Sequence, residues 1–204
     1  MDFDLLADLD HRIDASLVQF KSGLRRHDDP LKVVREFITH GSCVAIPGEP
    51  HALLREAVAE KLNVHPNRDV YTVGSAKLGF SIKAHARYRR FNDESDVDVA
   101  VVSPELYAQL WKEVRNFSAS EGIWKDSDLR WYKNNHFKGS IHPKSLPTSP
   151  LIPTAADLWE LARVLQNDQA AGPYAITFVV WNDMDALESY QASSVALCME
   201  SEKL

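Results

Sequence analysis

The stretch Asp96-Val97-Asp98-Val99-Ala100-Val101-Val102 constrains this chain most. It alternates with a period of two. Asp96, Asp98, Ala100 and Val102 therefore share one face of a strand, and Val97, Val99 and Val101 share the other. A strand so rich in valine has to be covered by packed elements, and the flanking chain supplies helices to do it. Ser103-Pro104 reads as an N-cap followed by a first-turn proline, and Leu106, Leu110, Val114 and Phe117 give the next helix its apolar stripe.

Upstream, Leu6, Leu9, Ile13, Leu17 and Phe20 fall on one helical face. Asp29-Pro30 opens a second helix to about His40, with Gly41 ending it. Pro47 to Pro50 is a turn, and His51 to Leu62 is helical again. Val70 to Val73 is a short strand that runs into Gly74. Downstream, Gly122 to Pro153 reads as loops and short strands. Thr154 with Asp157 resembles a capping box for a helix through Leu165. Ala170 to Pro173 is a break, Ala175 to Trp181 a strand, and Met184 to about Met199 a last helix. This order is that of an α+β or α/β sheet with helices packed on it.

The chain has 204 residues, 45% hydrophobic and 25% charged, the balance of a soluble globular domain. Its formal net charge of -6 argues against nucleic-acid binding by bulk charge, but leaves room for a local basic patch. Cys43 and Cys198 form no metal-spacing pattern and read as two buried thiols. No signal peptide or transmembrane run is visible, so a cytoplasmic protein is expected.

The chemistry concentrates in Val73-Gly74-Ser75-Ala76-Lys77-Leu78-Gly79-Phe80 and in the Asp96 strand. Carboxylates two residues apart on a strand point the same way, so both reach one site from a rigid support. Mg²⁺ takes hard oxygen ligands, commonly one or two carboxylates with substrate phosphates. A glycine-serine turn at a strand end lets backbone N–H groups approach a phosphate.

This combination resembles the nucleotidyltransferase superfamily that includes polymerase β, the kanamycin-type and minimal nucleotidyltransferases, and the bacterial cyclic-dinucleotide synthases. Gly74-Ser75 and Asp96-Val97-Asp98 match its shared marks, over roughly Val70 to Phe117. The resemblance implies a polymerase-β-like fold, a small mixed sheet flanked by helices. It divides the chain into an N-terminal helical extension, residues 1–45, and a nucleotidyltransferase-like domain, residues 46–204. It also implies that Gly74 and Ser75 bind the triphosphate of an NTP while Asp96 and Asp98 hold Mg²⁺ or Mn²⁺. The NMP would go to a protein, RNA or small-molecule acceptor, and relatives of the small type work in toxin–antitoxin or phage-defence systems. The alternative is a catalytically degenerate sensing or interaction module on the same fold. The N-terminal helical pair is a surface for a protein partner or a second copy, or else completes the core.

Two features depart from the pattern. Ser75 and Asp96 lie 21 residues apart, and the extra length carries Lys83, His85, Arg87, Arg89 and Arg90. Arg89 and Arg90, with Lys77 two residues after Ser75, are candidate phosphate ligands; a solvated loop is the alternative. A third carboxylate is also missing from the strand Ala175 to Trp181. Asp183 at its end is the catalytic candidate, although it also fits an N-cap. Asp126 and Asp128 are further candidates. Trp131, Tyr132 and Lys133 are a candidate base-stacking surface. His136 and His142 lack cysteine partners for zinc. The acidic end at Glu200 and Glu202 reads as frayed.

Overall fold

The computed structural model describes the backbone of residues 3–120 and 122–202, with side chains described from residue 8 onward. Leu6 of the first apolar stripe thus has its side chain outside the described residues. Helix α1 (Phe3–Arg26) is followed by α2 (Pro30–Val34), which widens into a π-type turn over Arg35–Thr39. Asp29 caps α2, its carboxylate accepting from Leu31 N at 2.9 Å. Then come α3 (Glu49–Leu62), β1 (Val70–Val73), the one-turn α4 (Gly74–Leu78) and β2 (Val97–Val102). The second half holds α5 (Pro104–Ser120), α6 (Asp126–Phe137), β3 (Ser140–Ile141), α7 (Pro153–Asn167), β4 (Ala170–Pro173), β5 (Ile176–Trp181) and α8 (Met184–Ser201).

The described residues form one four-stranded mixed sheet in the order β1-β2-β5-β3. The β1 strand runs antiparallel to β2, β5 runs parallel to β2, and β3 runs antiparallel to β5. The alternation in β2 does what its spacing demands. Val97, Val99 and Val101 join Ile176, Phe178 and Val180 in a core under α3, α5 and α7, with Leu54, Val58, Leu110, Leu158 and Leu161. Ala100 joins Val179 and Trp181 in a second core on the opposite face. There Phe20, Val33, Leu187 and Val195 come from α1, α2 and α8. Helix α1 serves both layers, with Ile13 in the first core and Phe20 in the second, each fully buried. Each such side chain is worth about 1.5–3 kcal/mol of burial. The chain is thus α+β, a small mixed sheet between two helical layers.

Three local expectations are corrected. The segment after Gly122 is not mainly loop, since α6 fills Asp126–Phe137. Ala170–Pro173 is a short extended strand rather than a break. Thr154 caps nothing; it lies inside α7, where Glu113 of α5 accepts from Thr154 N at 3.1 Å and Oγ1 at 2.6 Å. A neighbouring helix, not a local box, satisfies that N-terminus. Cys43 and Cys198 are both free and buried. Among the described residues no helix is long and apolar enough to cross a membrane.

Candidate functional site

The strand register assembles the site. Val73 pairs with Asp98 on one side of β2, and Thr177 pairs with Asp98 on the other. Gly74, the next residue after β1, therefore turns beside the Asp98 carboxylate. It has φ +69°, a left-handed conformation that favours glycine, and a Cβ built there would stand 2.7 Å from Asp98 Oδ2. So the Gly-Ser turn and the Asp-x-Asp strand, far apart in sequence, touch at one end of the sheet. Ser75 is half-buried in the first turn of α4.

Asp98 is half-buried, and its Oδ1 accepts a 2.6 Å hydrogen bond from Thr177 Oγ1. Asp96 is exposed just before β2, on the strand face that carries Asp98. Among the described residues neither carboxylate enters an ion pair. Two carboxylates on one strand face repel each other. Hard carboxylate oxygens suit Mg²⁺ or Mn²⁺, completed by water and phosphate oxygens. The charge of Asp98 also acts on Tyr190 of α8. Burial raises its phenol above the ordinary range, and the Asp98 charge adds to the shift.

Asp183 is not part of this site. It is the N-cap of α8, its Oδ1 accepting from Ala186 N at 2.8 Å. Because β2 and β5 are parallel, Asp98 and Thr177 lie at one end of the sheet, and Trp181 and Asp183 at the other. The four residues from Thr177 to Trp181 span about 13 Å of strand. Thr177 holds the place beside Asp98 where the resemblance implied a third carboxylate. Asp126 and Asp128 stand in the first turn of α6. Among the described residues no group of three or more His, Cys, Asp or Glu side chains is placed to share a metal ion.

The basic candidates disperse. Residues 79–91 form a closed hairpin: Phe91 N bonds Gly79 O, Ser81 N bonds Arg89 O, and Tyr88 N bonds Ser81 O. Arg90 is spent on α1, reaching Asp10 Oδ1 at 2.8 Å and Asp14 Oδ1 at 2.5 Å. Arg89 is exposed. Lys77 turns inward, only 4% exposed, and its Nζ donates to Gly41 O at 2.7 Å. Glu202 is not frayed: Tyr88 donates to it at 3.1 Å, and Lys21 and Arg25 pair with it at 3.3 and 3.2 Å. Of the stacking candidates, Tyr132 is buried in the core while Trp131 is exposed beside His142, ring centroids 4.7 Å apart.

Sequence reasoning passed over Thr177 and Tyr190. A threonine inside a valine-rich strand gives no signal until the register pairs it with Asp98. Comparison with protein-family models, curated proteins and solved structures returns no match.

Proposed function

We propose that the chain is a nucleotidyltransferase of the polymerase-β type, moving an NMP from an NTP to an acceptor hydroxyl. The observation that carries this reading is the contact between Gly74 and the Asp98 carboxylate. It joins a phosphate-approaching turn to a cation-attracting carboxylate pair. Asp96 and Asp98 would hold the divalent ion, which neutralises phosphate charge and orients the phosphates. The backbone of Gly74 and Ser75 would contact the triphosphate, with the Ser75 hydroxyl adding a donor. Thr177 fixes one oxygen of Asp98, leaving Oδ2 toward Gly74 and the ion. The acceptor oxygen then bonds to the α-phosphorus, the bond to the bridging oxygen breaks, and pyrophosphate leaves. The acceptor proton passes to solvent water. Such chemistry asks the protein mainly for positioning and charge neutralisation. NTP and Mg²⁺ as reactants fit a cytoplasmic setting, with a protein, RNA or small molecule as acceptor.

Thr177 favours a second reading. With a hydroxyl where a third carboxylate is expected, the site would bind an NTP without turning it over. Incubation with α-³²P NTPs, Mg²⁺ or Mn²⁺ and a cell extract separates the two. Label transfer by the wild type and none by Asp96→Ala/Asp98→Ala establishes the transferase. NTP binding without transfer establishes the silent module. Undiminished transfer by the double variant refutes the site.

A further inference from the structure

The charge that Lys77 carries is left unexplained by the carboxylate site. Lys77 lines a cavity of about 220 Å³ bounded by β1, an edge strand, by α3, and by the chain around Gly41. Arg55 and His51 of α3 line the same cavity, together with Thr39, Thr72 and Asn67. With the exposed His40, four basic side chains therefore border one small space.

Their neighbours do not neutralise them. Lys77 has three N–H donors, and among the described residues the one acceptor it meets is the Gly41 carbonyl. Arg55 gives its Nε and one terminal nitrogen to Pro66 O, at 2.9 and 2.6 Å. Among the described residues neither Lys77 nor Arg55 enters an ion pair. Two carboxylates act on Tyr71 at the cavity wall, Asp69 and Glu188, but each is already taken. Arg68 forks onto Asp69 at 2.8 and 3.0 Å, and Arg35 forks onto Glu188. His51 shares a 3.0 Å hydrogen bond with Thr72 Oγ1. Burial, with Arg55 and Lys77 nearby, pushes His51 down to about 4, so it stays neutral at physiological pH. Burial also pushes Lys77 down to about 8, Cys43 acting against that shift and Arg55 adding to it.

A buried ammonium without a counter-ion is costly, and an anion that hydrogen-bonds to it offsets part of that cost. Arginine and lysine together with hydroxyl and amide donors are the set that surrounds a phosphate. We propose that the cavity lined by Lys77, Arg55 and His51 binds a tetrahedral phosphate-type oxyanion, either free or as the terminal phosphomonoester of a larger ligand. None of the lining residues is Gly74, Ser75, Asp96 or Asp98. The site therefore stands whatever becomes of the transferase reading.

The test is thermal unfolding of the full chain in EDTA, with inorganic phosphate titrated against sodium chloride of matched ionic strength. Phosphate should raise Tm with the logarithm of its concentration above Kd, by about 3 to 6 °C at ten times its Kd. Asp96→Ala/Asp98→Ala should respond like the wild type. Lys77→Met and, independently at a half-buried position, Arg55→Gln should each abolish the response. Adenosine 5′-monophosphate identifies the source: tighter binding than phosphate makes a phosphomonoester the ligand, and equal or weaker binding makes it the free ion. A phosphate response no larger than that of chloride overturns the proposal, as does a response that survives in both Lys77→Met and Arg55→Gln.

Discussion

Gly74→Ala measures whether the two halves of the motif touch. An alanine at φ +69° bears the left-handed penalty of about 1–2 kcal/mol. Its methyl group would also lie 2.7 Å from Asp98 Oδ2, well inside van der Waals contact. The carboxylate cannot simply rotate away, because Thr177 holds the other oxygen at 2.6 Å. Overpacking of this kind costs about 1–3 kcal/mol more. Gly172→Ala is the control: its φ is +65°, yet nothing lies within 4 Å of the added carbon. It should bear the backbone penalty alone. The assay is urea unfolding of Gly172→Ala, Gly74→Ala, Asp98→Ala and Gly74→Ala/Asp98→Ala. Removing the carboxylate should return the cost of Gly74→Ala to that of Gly172→Ala, a coupling of about 1–3 kcal/mol in the double-mutant cycle. If Gly74→Ala costs no more than Gly172→Ala, or its cost is unchanged in the Asp98→Ala background, the contact is absent and the site reasoning fails.

Asp183→Ala should lower stability by about 1 kcal/mol through loss of the α8 cap, while leaving any label transfer intact; lost transfer with a normal unfolding midpoint would return Asp183 to the active site. His51 takes up a proton near pH 4 when folded and near 6.5 when unfolded, so between those values the unfolded chain holds more protons. Stability should fall as pH drops from 6.5 toward 4, by an amount on the order of 3 kcal/mol for this group, and His51→Gln should flatten that part of the urea-midpoint profile. Lys77 acts in the same direction at higher pH: folded near 8 and unfolded near 10.5, it should make the protein more stable as pH rises above 8. Comparison with Lys77→Met between pH 8 and 10, in phosphate-free buffer, should show that rise in the wild type alone.

What could be read from the sequence followed period and caps. The strands β2 and β5, the helices α5 and α8, and the Asp29 cap all carry local signals: alternation, an apolar stripe, or an Asp or Ser just before a helix. Helix α6 carries none. Its Leu129, Trp131, Tyr132 and Phe137 make no continuous stripe, and the helix buries only Tyr132 and Asn135. Phe137 is 92% exposed, so the pattern that exposes a helix to sequence reading is missing. Thr154 failed as a cap for a different reason. Its partner is Glu113, 41 residues away, and a contact across helices leaves no mark in the local sequence.

The same division runs through the site. Gly74, Ser75, Asp96 and Asp98 could be chosen from residue type and spacing, but spacing could not place them together. That depends on β1 and β2 pairing with Val73 opposite Asp98, and the pairing is held by core residues away from the site, Val70, Val99 and Val101 among them. A slip of one residue would turn every β1 side chain to the wrong face and carry Gly74 off the carboxylate. The partners of Lys77 and Arg90, the Gly41 carbonyl and Asp10 with Asp14, come from distant chain and could not be read locally. A lysine is rarely buried without a partner, so the sequence offered phosphate binding or exposure for Lys77 and not burial. Its inward turn is therefore the more informative fact. Helix α4 sets Gly74 against the Asp98 carboxylate and, three residues on, sends Lys77 into a basic cavity, so two unlike electrostatic environments are built from a single helical turn.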